Sequence, residues 1–115
     1  MEKFSSVRLS NLIKQANKIA VVAMGNEISG DDAVGVLIGE ELLKSESIKA
    51  DIYIAYQSPE AYLMKLLNED YSHIIFIDAI DAGKKPGEIY LVNPNEIINE
   101  KLSTHRFPLK LLLEI

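Results

Sequence analysis

Apolar and polar positions fall in blocks along the chain, and the blocks switch period. Ile19-Ala20-Val21-Val22-Ala23-Met24 is continuously apolar and short, the pattern of a strand buried on both faces. Downstream, Val34, Leu37, Ile38 and Leu42 recur at i, i+3, i+4 and i+8. This predicts a helix over 33–43 that turns those four side chains inward and leaves Glu40, Glu41 and Lys44 to solvent. The alternation repeats. Residues 51–56 are rich in β-formers, and Ser58-Pro59 supplies a cap and a first-turn proline for a helix carrying Tyr62, Leu63, Leu66 and Leu67. Ile74-Ile75-Phe76-Ile77 is a third apolar run, ending in Asp78 and a glycine-bearing turn over 81–87. Residues 88–92 read as a fourth strand nearer an edge, and Ser103-Thr104 as caps of a last helix reaching Ile115. A short helix with Leu9, Leu12, Ile13 and Ala16 on one face, capped by Ser5 or Ser6, leads into the first strand.

Strands alternating with helices predict a single α/β domain over 1–115, a three-layer α/β/α arrangement around a mostly parallel, mixed sheet of four to five strands. In such sheets ligands sit beyond the carboxyl ends of the strands, where strand order reverses. An order beginning 2-1-3 makes the first and third strands neighbours, so Asp32 and Asp78 would face one crevice.

Composition narrows the chemistry. With 48% hydrophobic and 25% charged positions over 115 residues, one modest core is expected. A net charge of −5, with 12 basic residues that do not cluster, argues against nucleic acid as the main partner. The absence of cysteine removes disulfides, thiolate metal sites and cysteine nucleophiles. No apolar stretch approaches the roughly 18 residues of a membrane span, and the first sixteen residues lack a signal-peptide core, so a cytoplasmic protein without membrane partners is expected.

The turn Gly25-Asn26-Glu27-Ile28-Ser29-Gly30-Asp31-Asp32 copies the glycine spacing of a phosphate-binding loop but carries two aspartates where that loop needs lysine and a hydroxyl. It suits a cation better than a nucleotide. His105, in the polar stretch before the apolar run 107–115, is a third candidate. Two carboxylates and an imidazole form a three-ligand set with open positions, compatible with zinc, nickel or another divalent ion. Plainer readings stand beside these. Asp31 reads as a helix cap, Asp32 as a dipole partner of a helix start, Asp81 as loop chemistry, His73 and Glu27 as surface residues, and Tyr53, Tyr56 and Tyr62 as packing.

Three ordered blocks resemble the hydrogenase maturation peptidases: Met24-Gly25-Asn26-Glu27-Ile28-Ser29-Gly30-Asp31-Asp32-Ala33-Val34-Gly35-Val36, then Ile77-Asp78-Ala79-Ile80-Asp81-Ala82-Gly83 with Pro86-Gly87-Glu88-Ile89-Tyr90, then Ser103-Thr104-His105-Arg106-Phe107-Pro108-Leu109. The third block is most similar to the archaeal-type branch. The resemblance implies an aspartic-type endopeptidase that removes a C-terminal peptide from the nickel-loaded large subunit of nickel–iron hydrogenase. It also implies that Asp32, Asp78 and His105 engage a metal, with Asp32 and Asp78 catalytic. The metal is expected to be nickel carried by the precursor, with zinc or cadmium able to stand in. Relatives usually continue with a further inner strand and a closing helix, so this chain is expected to be short at the C-terminus. Its sheet would then pair strand four with strand three, borrow a strand, or leave an edge prone to self-association. The alternative is a non-catalytic metal-binding maturation protein, and Tyr56-Gln57-Ser58-Pro59 departs from the family's turn after the second strand.

Overall fold

The structure is a computed structural model that describes residues 1–81 and 83–100; the histidine block and the expected last helix lie outside the described residues. The chain runs β1 (Glu2–Lys3), α1 (Ser6–Leu12), β2 (Ile19–Met24), a 3-10 turn (Gly30–Ala33) leading into α2 (Val34–Leu43), and β3 (Asp51–Tyr56). A second 3-10 turn (Pro59–Tyr62) leads into α3 (Leu63–Asn68), followed by β4 (His73–Ile77), β5 (Tyr90–Leu91) and α4 (Pro94–Glu100). Ser5 caps α1, its hydroxyl accepting from the Arg8 N–H at 3.1 Å.

The central sheet is parallel with order β3-β2-β4, the 2-1-3 order that the shared crevice required. β2 lies in the middle, which is why it is the most apolar strand: Ala20, Val22, Ala23 and Met24 are fully buried. Its side chains divide between two layers. Ala20, Val22 and Met24 join Ala55, Leu66 and Ile97 in the main cluster, beneath α3 and α4. Ala23 faces the opposite layer, where α2 lies. Among the described residues no helix is long and apolar enough to cross a membrane.

Two expectations are corrected. Among the described residues the parallel sheet has three strands rather than four or five, because the segment around Tyr90 pairs elsewhere. β5 forms a separate antiparallel pair with β1, in the register Glu2 with Leu91 and Lys3 with Tyr90. Lys3 reaches Glu88 at 3.6 Å, and Glu88 accepts from the Tyr90 hydroxyl at 2.7 Å. That hydrogen bond, aided by Lys3, holds the Glu88 carboxyl below its usual range.

The second correction concerns α2. Its inward face is Gly35, Val36 and Gly39, whereas Val34, Leu37 and Ile38 are 43%, 55% and 36% exposed. At Gly35 and Gly39 the helix lies so close to the sheet that no side chain fits. A Cβ on Gly39 would stand 2.4 Å from the Ala23 Cβ, and one on Gly35 would stand 2.1 Å from the Met24 carbonyl oxygen. Periodicity marked the right segment as helix, but the glycines selected the buried face.

At the amino end of the sheet, aromatic residues tie β3 to the segment before β4. The Tyr71 hydroxyl donates to Asp51 at 2.6 Å and is hydrogen-bonded to the Tyr53 hydroxyl, while the Tyr62 hydroxyl donates to the Ile54 carbonyl at 3.2 Å. Tyr53 and Tyr62 are packing residues as expected, but Tyr56 is 42% exposed. Lys18 sits over the Tyr71 ring at 5.1 Å and pairs with Glu69 at 3.0 Å. Burial, then the bonds to Asp51 and Tyr53, push the Tyr71 phenol well above its ordinary value.

Two measurements test this packing. Gly35→Ala places a methyl against backbone that cannot turn aside, so urea unfolding should show a loss of about 3 kcal/mol. Because folding raises the Tyr71 pKa, its stabilising contribution is complete below the unfolded value of about 10 and declines as pH rises above it. Tyr71→Phe should therefore cost about 1 kcal/mol at neutral pH and flatten the alkaline fall in stability, measured as urea midpoints between pH 8 and 11.

Candidate functional site

The first chemical block folds into a tied loop at the carboxyl end of β2. The Gly25 N–H donates to the Tyr56 carbonyl at 2.9 Å, anchoring the loop to the end of β3. The Asn26 N–H donates to the Asp32 carbonyl at 3.0 Å, and the Asp32 N–H donates back to the Ser29 carbonyl at 3.0 Å. The Asn26 side-chain oxygen accepts from the Ile28 N–H at 3.2 Å, closing a local turn of the kind asparagine favours. Gly25 has φ 157°, and a Cβ there would lie 2.5 Å from the Asp32 carbonyl oxygen. The absence of a side chain at Gly25 therefore lets the backbone of Asp32 fold back over the start of the loop.

Asp32 lies in the 3-10 turn, partly buried, with Asp31 beside it and exposed. The cap reading for Asp31 is corrected: Ser29 occupies the N-cap of the 3-10 turn and Ala33 that of α2, with no side-chain cap bond at either. Both acids instead sit in the first turn, where the helix N-terminus favours negative charge.

Asp78 follows β4 directly and is partly buried. One carboxylate oxygen accepts from the Ala79 N–H at 2.8 Å, which sets the direction of the group. The link between the two acids is Gly35. The Cβ it lacks would stand 2.1 Å from the Met24 carbonyl oxygen and 2.7 Å from that of Ile77. The first turn of α2 is thus wedged against the ends of two neighbouring strands. Asp32 precedes that contact by three residues and Asp78 follows Ile77 by one, so both acids border the same end of the sheet.

Other candidates separate from this end. His73 begins β4 at the opposite pole, its Nδ1 3.0 Å from the Ser72 hydroxyl. Glu27 and Asp81 are exposed loop acids. His105 lies outside the described residues, and among the described residues no group of three His, Cys, Asp or Glu side chains is arranged to hold a metal ion. Asp32 and Asp78 would supply two hard oxygen donors of such a set.

The residue that sequence reasoning read as packing, and that the structure places at the loop instead, is Tyr56. It ends β3 with φ 53°, a left-handed conformation that is costly for a residue with a Cβ, and its carbonyl holds the Gly25 N–H. The register shift between Ala23 and Met24 against β3 lies next to it. The departure of Tyr56-Gln57-Ser58-Pro59 from the family turn was the one sequence signal at this position.

Comparison with known proteins points to the same family as the three blocks. A family model described as hydrogenase maturation protease matches residues 58–115. The chain is 31% identical over 114 residues to a protein of Methanocaldococcus jannaschii assigned as a hydrogenase maturation protease, covering 92% of this chain and 68% of that protein. It is 26% identical over 95 residues to the hydrogenase 3 maturation protease of Escherichia coli K12, covering 82% of this chain and 61% of the relative. The crystal structure of the [NiFe] hydrogenase maturation protease HycI from Thermococcus kodakarensis KOD1 superposes with a TM-score of 0.81 at 30% identity, over 93% of this chain and 69% of that one. The chain therefore spans about two thirds of the length of these relatives, over which both its sequence and its fold follow theirs, and it belongs to the hydrogenase maturation protease family.

Proposed function

We propose that this protein is an endopeptidase that removes a C-terminal peptide from the nickel-loaded large-subunit precursor of a nickel–iron hydrogenase, in the cytoplasm. The observation that supports the proposal is the Gly35 contact, which seats the first turn of α2 against the ends of the neighbouring strands β2 and β4, the end of the sheet that the Asp32 turn and Asp78 both border. Relatives named as hydrogenase maturation proteases support the same reading.

In this reading nickel arrives as part of the substrate. The carboxylates of Asp32 and Asp78, with the His105 imidazole, engage it, so that a precursor without metal is held weakly and not positioned for cleavage. The donor set fits a borderline divalent ion, and zinc or cadmium would occupy it in vitro. The bond broken is a peptide C–N bond. Water oxygen adds to the carbonyl carbon, a carboxylate accepts the water proton, and that proton passes to the departing nitrogen. Asp32 or Asp78 is that base at the stage when its carboxylate is not engaged as a ligand. The Ala79 N–H donates to the Asp78 carboxylate at 2.8 Å and orients that group.

Processing of nickel-loaded precursor, followed by the mobility shift of the large subunit, tests the assignment. Asp78→Asn and Asp32→Asn should each lower the rate by about 100-fold or more with the circular dichroism spectrum unchanged; cleavage by Asp78→Asn at the wild-type rate would remove the proposal. A calorimetric nickel titration should show saturable binding by the protein that is lost in His105→Ala. Binding without cleavage of loaded precursor would favour the non-catalytic maturation protein instead.

A further inference from the structure

Addition of water to a peptide carbonyl moves the π electron pair onto the oxygen, and a site that breaks such a bond gains most from a hydrogen-bond donor placed where that charge develops. The two acids at the carboxyl end of the sheet supply no donor when ionised. Among the described residues bordering that end, the neutral side-chain donors Ser29, Tyr56, Gln57 and Ser58 are exposed, whereas Asn26 is half-buried. Met24 ends the central strand of the β3-β2-β4 sheet, so Asn26, two residues on, leaves the sheet between the ends of its neighbours. The Asn26 N–H donates to the Asp32 carbonyl at 3.0 Å, which sets its backbone against the acidic turn. The Ile28 N–H donates to the Asn26 side chain at 3.2 Å, and of the two ends of that carboxamide only the oxygen can accept. The group is therefore held with Oδ1 turned into the loop and the two Nδ2 hydrogens turned out of it.

We propose that Asn26 is a catalytic residue whose Nδ2–H groups hydrogen-bond the scissile carbonyl oxygen and stabilise the negative charge it gains as water adds. The inference rests on the peptidase reading and deepens it, since the acids and the imidazole account for the metal and the proton but not for the oxyanion. As the water oxygen bonds to the carbonyl carbon, the π pair moves to the carbonyl oxygen and Nδ2–H donates to it. When the C–N bond breaks, that pair re-forms the carbonyl, and the departing nitrogen takes the proton held by the aspartate. No proton leaves Asn26. A carboxamide suits this place because it is uncharged, so it does not compete with the acids for a cation. Fixed through Oδ1, it needs no reorganisation at the moment the charge develops. The bonds from Asn26 to Asp32 and from Asp32 to Ser29, each 3.0 Å, keep this donor and the acidic turn in one unit.

Two substitutions in the full protein, assayed on nickel-loaded large-subunit precursor, separate this role from that of a loop fastener. Asn26→Asp and Asn26→Ser each keep an oxygen able to accept from the Ile28 N–H, one charged and one neutral, and each removes the amide donor. Both should lower kcat by about 100-fold or more with KM within about threefold of the wild type. In both, the Ile28 amide should stay as protected from hydrogen exchange as in the wild type, whereas Asn26→Ala should lose that protection along with kcat. A kcat within about threefold of the wild type in Asn26→Asp or Asn26→Ser overturns the donor and leaves the peptidase reading standing. Loss of Ile28 protection in step with the loss of kcat returns Asn26 to the loop alone, and a KM that rises while kcat holds makes it a ground-state contact; either result also overturns the donor. If the wild type itself leaves loaded precursor intact, the peptidase reading and the donor fall together.

Discussion

The contact on which the rest depends is the approach of α2 to the sheet through Gly35 and Gly39. A helix with ordinary side chains on its inner face rides about 10 Å above a sheet. Here the missing Cβ atoms let the helix backbone meet the strand ends themselves, at Met24 and Ile77 on one turn and at Ala23 on the next. The gain is proximity. The first turn of the helix becomes part of the rim at the carboxyl end of the sheet, and the acidic turn before it is carried against the end of β4.

The surrounding loop is organised to keep that arrangement. Asn26, Ser29 and Asp32 exchange backbone hydrogen bonds, and the Gly25 N–H fastens the loop to β3 through the carbonyl of Tyr56. Tyr56 holds a left-handed backbone conformation to do so. Such a conformation costs about 1 kcal/mol or more and persists where neighbours over-determine it. The acids therefore stand on a scaffold with few soft torsions, which suits chemistry that depends on placement more than on strong nucleophiles. Asp32 and Asp78 share one rim because two neighbouring parallel strands end there, a consequence of the β3-β2-β4 order.

The opposite pole does different work. The bonds among Tyr53, Tyr71 and Asp51, with Lys18 and Glu69 alongside, join the amino ends of β2, β3 and β4. The sheet is thus braced by polar aromatic contacts where it carries no candidate chemistry, and by bare backbone contact where it does. Among the described residues, the short β1–β5 ladder is a separate sheet from the parallel one, with a cleft between it and β4.

The sequence by itself determined the alternation of elements, the parallel sheet, the identity of β2 as a buried strand, and the three blocks of the family. These are legible because buried strands must be apolar and because glycines, aspartates and prolines at fixed offsets reflect local backbone demands. The strand order, the inward face of α2, the pairing partner of β5 and the role of Tyr56 were decided only by the tertiary structure. Val34, Leu37 and Ile38 form the apolar stripe that periodicity assigns to the core, yet they face outward, because the sheet meets the helix at Gly35 and Gly39, where no side chain fits. β5 joins β1 because Glu2–Lys3 offers an antiparallel partner that no local pattern announces. Periodicity reports what a segment can form; which face is covered depends on the distance to a neighbour far away in the chain.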